Sequence, residues 1–173
     1  MPPQAFLRYA QLVRGYSSKL DLVSPADIDR FEERHIRDSL RALPYVRRAP
    51  AGVAVDVGSG AGLPGIPLAI ADPDRQWRLL EPRKRRAAFL EEVVRDLDLP
   101  NVDVVAETAE AVSARDGATH AVAIARALAP PQYALEMLRP LVVPRGTLLV
   151  FVGRSEDATK YTEVEPGLVR VVV

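Results

Sequence analysis

A glycine-rich turn directly after a short apolar run constrains the fold of this 173-residue chain most strongly. The apolar run is Val53-Ala54-Val55-Asp56-Val57, and four glycines follow it within eight residues, at positions 58, 60, 62 and 65. An uninterrupted apolar run of this length is typical of a buried strand in a parallel sheet. Glycine permits positive φ and lets a ligand approach the backbone closely. The pattern therefore predicts a strand–turn–helix unit that binds a ligand at the carboxyl end of the strand.

Apolar runs alternate with helical stripes along the rest of the chain. Strands are predicted at residues 53–57, 77–81, 102–106, 120–125 and 147–152, with helical patterns such as 89–97 and 132–139 between them. This alternation predicts α/β architecture, a doubly wound and mostly parallel sheet. Residues 161–164 and 168–173, on either side of Pro166-Gly167, predict an antiparallel hairpin on the sheet edge.

The first 48 residues have helical rather than strand periodicity. Residues 1–48 are thus predicted as an N-terminal helical part and residues 49–173 as the α/β core of one domain. Ser24 precedes Pro25, with Asp27 three residues after Ser24, which predicts the start of a helix running toward Leu43. Pro44 and Pro50 are expected on either side of its exit.

Composition excludes several classes of site. The chain has 23 Lys+Arg against 23 Asp+Glu, no Cys and two His, so disulfides, thiolate zinc and a Cys nucleophile are excluded, and we expect no metal. Zero net charge excludes nucleic-acid binding by bulk basicity but is compatible with a local basic patch. Neither a signal peptide pattern nor a spanning apolar stretch is present, so we expect a cytoplasmic monomer with no membrane contact.

Two cofactors compete for the glycine turn. Gly60-x-Gly62-x-x-Gly65 matches a dinucleotide fingerprint, and Glu81 follows Gly62 by 19 residues, near the place of a ribose-binding acid. Asp56 argues against a dinucleotide, because its carboxylate would face the pyrophosphate. The same carboxylate would favour the ammonium and sulfonium of S-adenosylmethionine. The methyl donor is therefore the favoured ligand, and NAD the alternative.

Four segments carry a resemblance to a known family. Residues 56–70 (DVGSGAGLPGIPLAI) closely resemble the signature of the bacterial 16S rRNA guanine-N7 methyltransferases, the glucose-inhibited division protein B family. Residues 34–40 (RHIRDSL), 79–90 and 125–127 (ARA) resemble further motifs of that family, over about residues 5–153. The resemblance implies a class I methyltransferase fold, S-adenosylmethionine as donor, and 16S rRNA or the small ribosomal subunit as partner.

The resemblance also implies roles for individual residues. The methionine and ribose parts of the donor would be lined by Asp56, Gly58, Ser59, Gly60 and Gly62. Glu81 would accept the ribose hydroxyls, and Ala109 and Glu110 would flank the adenine. Arg126 would sit at the mouth of the site as the catalytic residue, positioning the substrate; its alternative role is a structural pair with a carboxylate.

One dense basic run and one histidine remain. The run is Arg83-Lys84-Arg85-Arg86, at a predicted helix start beside the ligand edge, and it is predicted to contact RNA together with Arg154. A solvated surface is the equal alternative for such a run. His35 is expected to dock the N-terminal helices on the sheet rather than to catalyse. Guanine N7 carries no proton, so the reaction needs no general base.

Some positions depart from the family pattern. Asp21-Leu22-Val23 stands where the family has Asn-Leu-Thr, Thr108 replaces an Arg, and Val152 replaces a Lys. These changes leave open a related methyltransferase with another acceptor, whether a small molecule or another RNA. A cofactor-binding protein without catalysis is the other alternative.

Overall fold

The computed structural model of the protein describes residues 3–153 and 162–173. Its strands are β1 (Ala54–Val57), β2 (Trp77–Leu80), β3 (Val102–Val105), β4 (His120–Arg126), β5 (Val142–Phe151), β6 (Glu163–Glu165) and β7 (Leu168–Val172). Its α-helices are α1 (Pro3–Leu20), α2 (Pro25–Ile28), α3 (Arg37–Leu40), α4 (Leu43–Arg48), α5 (Gly65–Ala71), α6 (Lys84–Asp96), α7 (Ala109–Asp116) and α8 (Pro131–Leu138). A π-helix (Glu32–Ile36) and a 3₁₀ turn (Arg139–Leu141) complete the list.

The seven strands form one sheet in the order β3-β2-β1-β4-β5-β7-β6. Strands β1 to β5 pair in parallel, and β7 pairs antiparallel with both β5 and β6. The predicted doubly wound, mostly parallel α/β sheet with an edge hairpin is therefore confirmed. Tyr161, in the first arm of the predicted hairpin, lies outside the described residues. β5 begins at Val142, five residues before the predicted start at Thr147.

The strand order reverses beside β1. The chain runs from β1 outward through β2 to β3, then returns to place β4 on the other side of β1. Such a reversal opens a crevice at the carboxyl ends of the two central strands, where open α/β sheets bind ligands. Val57 at the end of β1 pairs with Ala125, so the glycine turn and Arg126 leave the sheet side by side.

Helices cover both faces of the sheet because alternate residues of each strand point to opposite sides. One core cluster joins α1 to α6 and the sheet, with Tyr9, Phe31 and Leu90 fully buried in it. A second cluster packs α7 and α8 against the other face, around Val55 and Leu138. The N-terminal helices therefore share a hydrophobic core with the sheet.

The predicted single helix after Ser24 is wrong. Instead, residues 25–48 form α2, the π-helix, α3 and α4 in succession. The Ser24 hydroxyl donates to the Asp27 carboxylate at 2.8 Å and caps no backbone N–H, and α2 ends after four residues at Ile28. Pro44 lies in the first turn of α4, where its missing N–H costs no helical bond, and so does not mark an exit.

Candidate functional site

The glycine turn is tied to the end of β2. The amides of Gly58 and Ser59 both donate to the Leu80 carbonyl, at 2.9 and 3.0 Å. Gly58, Gly60 and Gly62 all have positive φ, at 72°, 57° and 98°. Side chains disfavour this left-handed region, so the alternate glycines are what allows the chain to turn so tightly. The shape of the turn is therefore fixed by backbone hydrogen bonds to Leu80 and by the positive φ of its glycines.

Asp56 lies at the carboxyl end of β1 and is fully buried. Its Oδ2 accepts a hydrogen bond from the Gly65 amide at 2.9 Å, whereas its Oδ1 has no partner among the described residues. Burial raises the pKa of this carboxyl to about 7, the Gly65 amide opposes that rise, and the nearby Glu81 adds to it. The site thus contains a buried acid with one unpaired oxygen.

Glu81 follows β2 and is only 4% exposed. Its Oε2 accepts from the Gly60 amide and its Oε1 from the Arg83 amide, both at 2.9 Å. A carboxylate has about four acceptor positions, so each oxygen retains capacity for a further donor such as a hydroxyl. The predicted ribose-binding acid and the glycine turn are therefore brought together.

Ala109 and Glu110 open α7, beside the carboxyl end of β3. Ala109 is buried, and Glu110 is exposed. Thr108 caps the helix by accepting from the Ala111 amide at 3.3 Å. The residue that departs from the family pattern here therefore has a local structural role.

Tyr9 of α1 also belongs to this site. Its hydroxyl is fully buried and donates to the Ala61 carbonyl in the glycine turn at 2.9 Å. Its ring meets Phe31 edge-on at 5.4 Å. Burial raises the pKa of Tyr9 well above its ordinary value, and the neighbouring Asp56 adds to the rise. Only the contact across 52 residues identifies this role.

Arg126 ends β4 and is held by the segment around His35. Its Nη2 lies 2.6 Å from His35 Nδ1, and its Nη1 donates to the His35 carbonyl at 3.4 Å. Asp38 Oδ2 is 3.6 Å from Nη1, and the guanidinium carbon is 6.0 Å from the centroid of Phe151. The structure thus gives Arg126 the carboxylate pair that the sequence left as an alternative, and an imidazole partner as well.

The loop after β4 closes over the glycine turn. Ala127 takes a φ of 50°, unusual for a residue with a Cβ. Leu128 Cδ1 lies 2.7 Å from where a Cβ on Gly58 would be. A larger residue at position 58 would therefore push this loop away from β1, which explains the glycine there.

The basic run divides into two parts. Arg83, Lys84 and Arg85 are exposed, and their side chains make no ion pair within residues 3–153 and 162–173. Arg86 is 17% exposed and donates to the carbonyls of Leu20 and Asp21, where α1 ends. Three cations are therefore available to a partner, while the fourth fastens α1 to α6.

Val23 and Val152, which also differ from the family pattern, take part in hydrogen bonds through their backbone. Val23 donates through its amide to Ser17 Oγ at 3.2 Å, and Ser17 donates back to the Val23 carbonyl at 3.0 Å. The Val152 amide donates to the Gly167 carbonyl at 2.9 Å. Arg154, predicted to contact RNA, lies outside the described residues.

Neither a metal-binding cluster nor a membrane-spanning helix occurs in the described part of the chain. No cluster of three His, Asp or Glu side chains there is arranged to hold a metal ion. None of its helices has the length and apolar character needed to cross a bilayer.

A family model described as rRNA small subunit methyltransferase G matches residues 3–165. The chain belongs to this family. The match confirms the resemblance drawn from the residue 34–40, 56–70, 79–90 and 125–127 motifs.

Two members of the rRNA small subunit methyltransferase G family are similar to most of this chain. The family member of Paracoccus denitrificans is 37% identical over 150 residues, covering 87% of this chain and 76% of its own length. That of a Nocardioides species is 40% identical over 164 residues, covering 94% of this chain and 63% of its own. The chain thus spans less than two thirds of the second relative.

Solved structures show the same fold at low identity. A protein of Corynebacterium glutamicum superposes with a TM-score of 0.62 at 13% identity, over 86% of this chain and 67% of its own. MtNAS, solved in complex with S-adenosylmethionine, gives 0.57 at 20% identity, over 94% and 61%. Further neighbours include methyltransferases such as one acting on tRNA in Aquifex aeolicus. The class I methyltransferase fold is therefore confirmed.

Proposed function

We propose that this protein is an S-adenosylmethionine-dependent methyltransferase that methylates guanine N7 in 16S rRNA. One observation carries the cofactor: Asp56 Oδ1 is buried at the switch point and is unpaired within the described residues. A buried carboxylate oxygen without a partner is costly and favours a cationic or hydrogen-bond-donating ligand. The ammonium and sulfonium of the methyl donor fit this requirement, whereas a pyrophosphate does not.

The residues around the turn fit the rest of the donor. Glu81 has acceptor capacity for the two ribose hydroxyls, and Ala109 and Glu110 border the place for the adenine. The glycine turn offers backbone without side chains to the methionine part. When bound, S-adenosylmethionine supplies an electrophilic methyl group. The protein's task is then to align donor and acceptor, since methyl transfer is an in-line displacement.

The acceptor side suits guanine N7. This nitrogen attacks with a lone pair and releases no proton, so no general base is required. His35 Nδ1 is already engaged by Arg126, in agreement with a reaction that needs no free imidazole base. We assign Arg126 to holding a phosphate or the guanine O6, because a cation against the ring edge would oppose the positive charge formed. N7 lies in the deep groove of A-form RNA, so the target is an unpaired guanine.

Transfer of labelled methyl groups to 16S rRNA, both naked and in assembled small subunits, tests the proposal. We expect label in guanine N7 of at least one substrate and negligible label in a fully paired RNA duplex. Incorporation into neither substrate, with donor binding retained, would favour a related methyltransferase with another acceptor.

Calorimetry separates the cofactors. We expect S-adenosylhomocysteine to bind and NAD not to bind, and the opposite result would overturn the methyl-donor assignment. We further infer a cytoplasmic monomer that meets the ribosomal particle in solution. Sedimentation at micromolar concentration tests the monomer, and fractionation of cells tests the location.

A further inference from the structure

His35 lies in an irregular helix turn that packs against the end of β4. In the π-helix the Arg37 amide bonds to the Glu32 carbonyl, five residues back instead of four. The extra residue rotates the side chains that follow relative to a regular helix, and π-turns occur frequently at functional sites. The imidazole then packs 5.5 Å from the Phe31 ring and lies against the end of β4. His35 therefore does more than dock the N-terminal helices on the sheet, because it also contacts Arg126.

The contact with Arg126 fixes the proton on the imidazole. A guanidinium only donates hydrogen bonds, so His35 Nδ1 must be the acceptor at 2.6 Å. The ring is then neutral with its proton on Nε2. That Nε2 is buried without a partner among the described residues. Leaving a buried N–H unpaired is unfavourable. The Nδ1 contact with Arg126 and the packing of the ring must therefore offset that cost.

Charged groups surround His35 on four elements. Arg34 lies on its own π-helix, Asp27 on α2, Asp38 on α3 and Arg126 on β4. Burial lowers the pKa of His35 below 6.5, Arg126 lowers it further, and the two acids oppose the shift. Tyr9, across Phe31 on α1, is uncharged at neutral pH, and its raised pKa extends that range. The neutral imidazole is thus the stable form beside the guanidinium.

We propose that His35 is a positioning residue for Arg126: the neutral imidazole holds the guanidinium at the mouth of the crevice, and protonation of His35 releases it. The inference rests on the proposed function, in which Arg126 faces the RNA acceptor. It requires the N-terminal segment to be in place for RNA methylation, because His35, 91 positions before Arg126 in the sequence, determines where the Arg126 guanidinium points. It also adds an acid limb to the pH dependence of RNA methylation.

Titration by NMR tests the contact without any turnover. The chain has only two His, and the His120→Asn variant identifies the His35 signals. We expect the Nε2-protonated tautomer, a pKa below the ordinary value, and a higher pKa in Arg126→Gln, since a neighbouring cation has been removed. Arg37→Gln, an exposed cation two residues from His35, is the matched control and should leave the pKa nearly unchanged. An unchanged pKa in Arg126→Gln would overturn the proposal.

Kinetics test the consequence. His35→Ala should lower kcat/KM for RNA about tenfold or more, with S-adenosylhomocysteine affinity changed less than about twofold, because the lost bond serves the acceptor side. His35→Asn places an amide oxygen near the Nδ1 position and should restore part of the rate. It should also lose the acid limb that is due to protonation of His35.

The controls keep the inference apart from the proposed function. Thermal unfolding of each variant shows whether it is folded before its rate is compared. A folded His35→Ala with the parent rate overturns the proposal, as does equal loss in His35→Asn and His35→Ala. If the parent transfers no methyl group to RNA, the proposed function fails, while the NMR titration still decides whether His35 and Arg126 are coupled.

Discussion

The candidate site has a donor half and an acceptor half, and different kinds of contact hold their side chains in place. On the donor side, Asp56 and Glu81 are buried and accept hydrogen bonds from the backbone amides of Gly60 and Gly65 in the glycine turn and of Arg83 just before α6. On the acceptor side, Arg126 is held by the imidazole and carbonyl of His35 and by Asp38, and Arg83 to Arg85 project into solvent. The first half is anchored mainly on backbone amides and the second mainly on side chains.

This difference determines how each half responds to change. Backbone amides bonded to buried carboxylates cannot move without breaking the turn, so the donor half is preformed for a small rigid ligand. Side-chain contacts can be exchanged one at a time. The acceptor half can therefore adjust to a large substrate.

The largest effect is expected from Gly62→Ala. A Cβ there would lie 2.6 Å from Ile66 Cγ1 and 3.1 Å from the Tyr9 hydroxyl, on a residue with φ of 98°. We expect the free energy of unfolding to fall by about 2–4 kcal/mol and S-adenosylhomocysteine binding to be lost. Denaturant unfolding and calorimetry measure both.

Gly15→Ala is the matched control for that substitution. Gly15 lies inside α1 with nothing within 4 Å of a Cβ, so alanine should raise the free energy of unfolding by about 1 kcal/mol. Donor affinity should stay unchanged. If both variants behaved alike, the close approach at the turn would not be what constrains Gly62.

Asp56→Asn should weaken the donor half next most strongly. Removing the charge should lower S-adenosylmethionine affinity about a hundredfold at pH 8, where the parent carboxyl is ionised. Because the pKa of Asp56 is about 7 in the free protein, parent affinity should rise as pH increases from 6 to 8. The Asn variant should lack that rise. Calorimetry in buffers of different ionisation enthalpy would also detect proton release in the parent alone.

The stability of the donor-free protein should change in the opposite direction. The folded-state pKa of Asp56 is raised above its ordinary value of 3.8, so the stabilising contribution of protonation is complete below about pH 4 and is lost as the pH rises through about 7. Parent thermal stability should therefore decline more than that of Asp56→Asn between pH 5 and 8. Parallel curves would contradict the raised pKa.

The two halves also differ in how far sequence predicts them. The strand before the turn, Asp56 and Glu81 follow from local patterns, because βα loops at strand ends are encoded by adjacent residues. The Tyr9–Ala61 and His35–Arg126 contacts join residues 52 and 91 positions apart. No local period encodes them. The break after α2 and the π-helix also escaped prediction, because no residue pattern between Ser24 and Leu43 marks either of them.

Neutralising the exposed part of the basic run should affect RNA binding and not the fold. Arg83→Gln, Lys84→Gln and Arg85→Gln together should reduce the slope of log affinity against log salt by about 2–3 and lower affinity about tenfold at moderate salt. Arg86→Gln is the matched control. It loses bonds to the α1 terminus, so it should cost about 1 kcal/mol of stability with little change in salt slope. Filter binding over a salt series and denaturant unfolding distinguish the two variants. If the triple variant had the same salt slope as the parent, Arg83, Lys84 and Arg85 would be solvated surface residues that do not contact RNA.

The smallest effect is expected at Thr108, where this chain replaces the family's Arg. Thr108→Ala removes the bond to the Ala111 amide at 3.3 Å and should lower the free energy of unfolding by about 0.5–1 kcal/mol. Thr108→Ser keeps a capping hydroxyl and should cost only a few tenths. Donor affinity should fall less than about fivefold in Thr108→Ala, because Ala109 and Glu110 stay on the helix.

Thr108→Arg decides which half of the site this position serves. The substitution loses the cap as Thr108→Ala does, so the two variants should have similar unfolding free energies. If the family's Arg acts on RNA, Thr108→Arg should bind RNA more tightly than the parent while losing the same stability. If its RNA affinity equals that of Thr108→Ala, the position serves the donor half alone. The Thr that replaces the family's Arg then acts only by capping the start of α7.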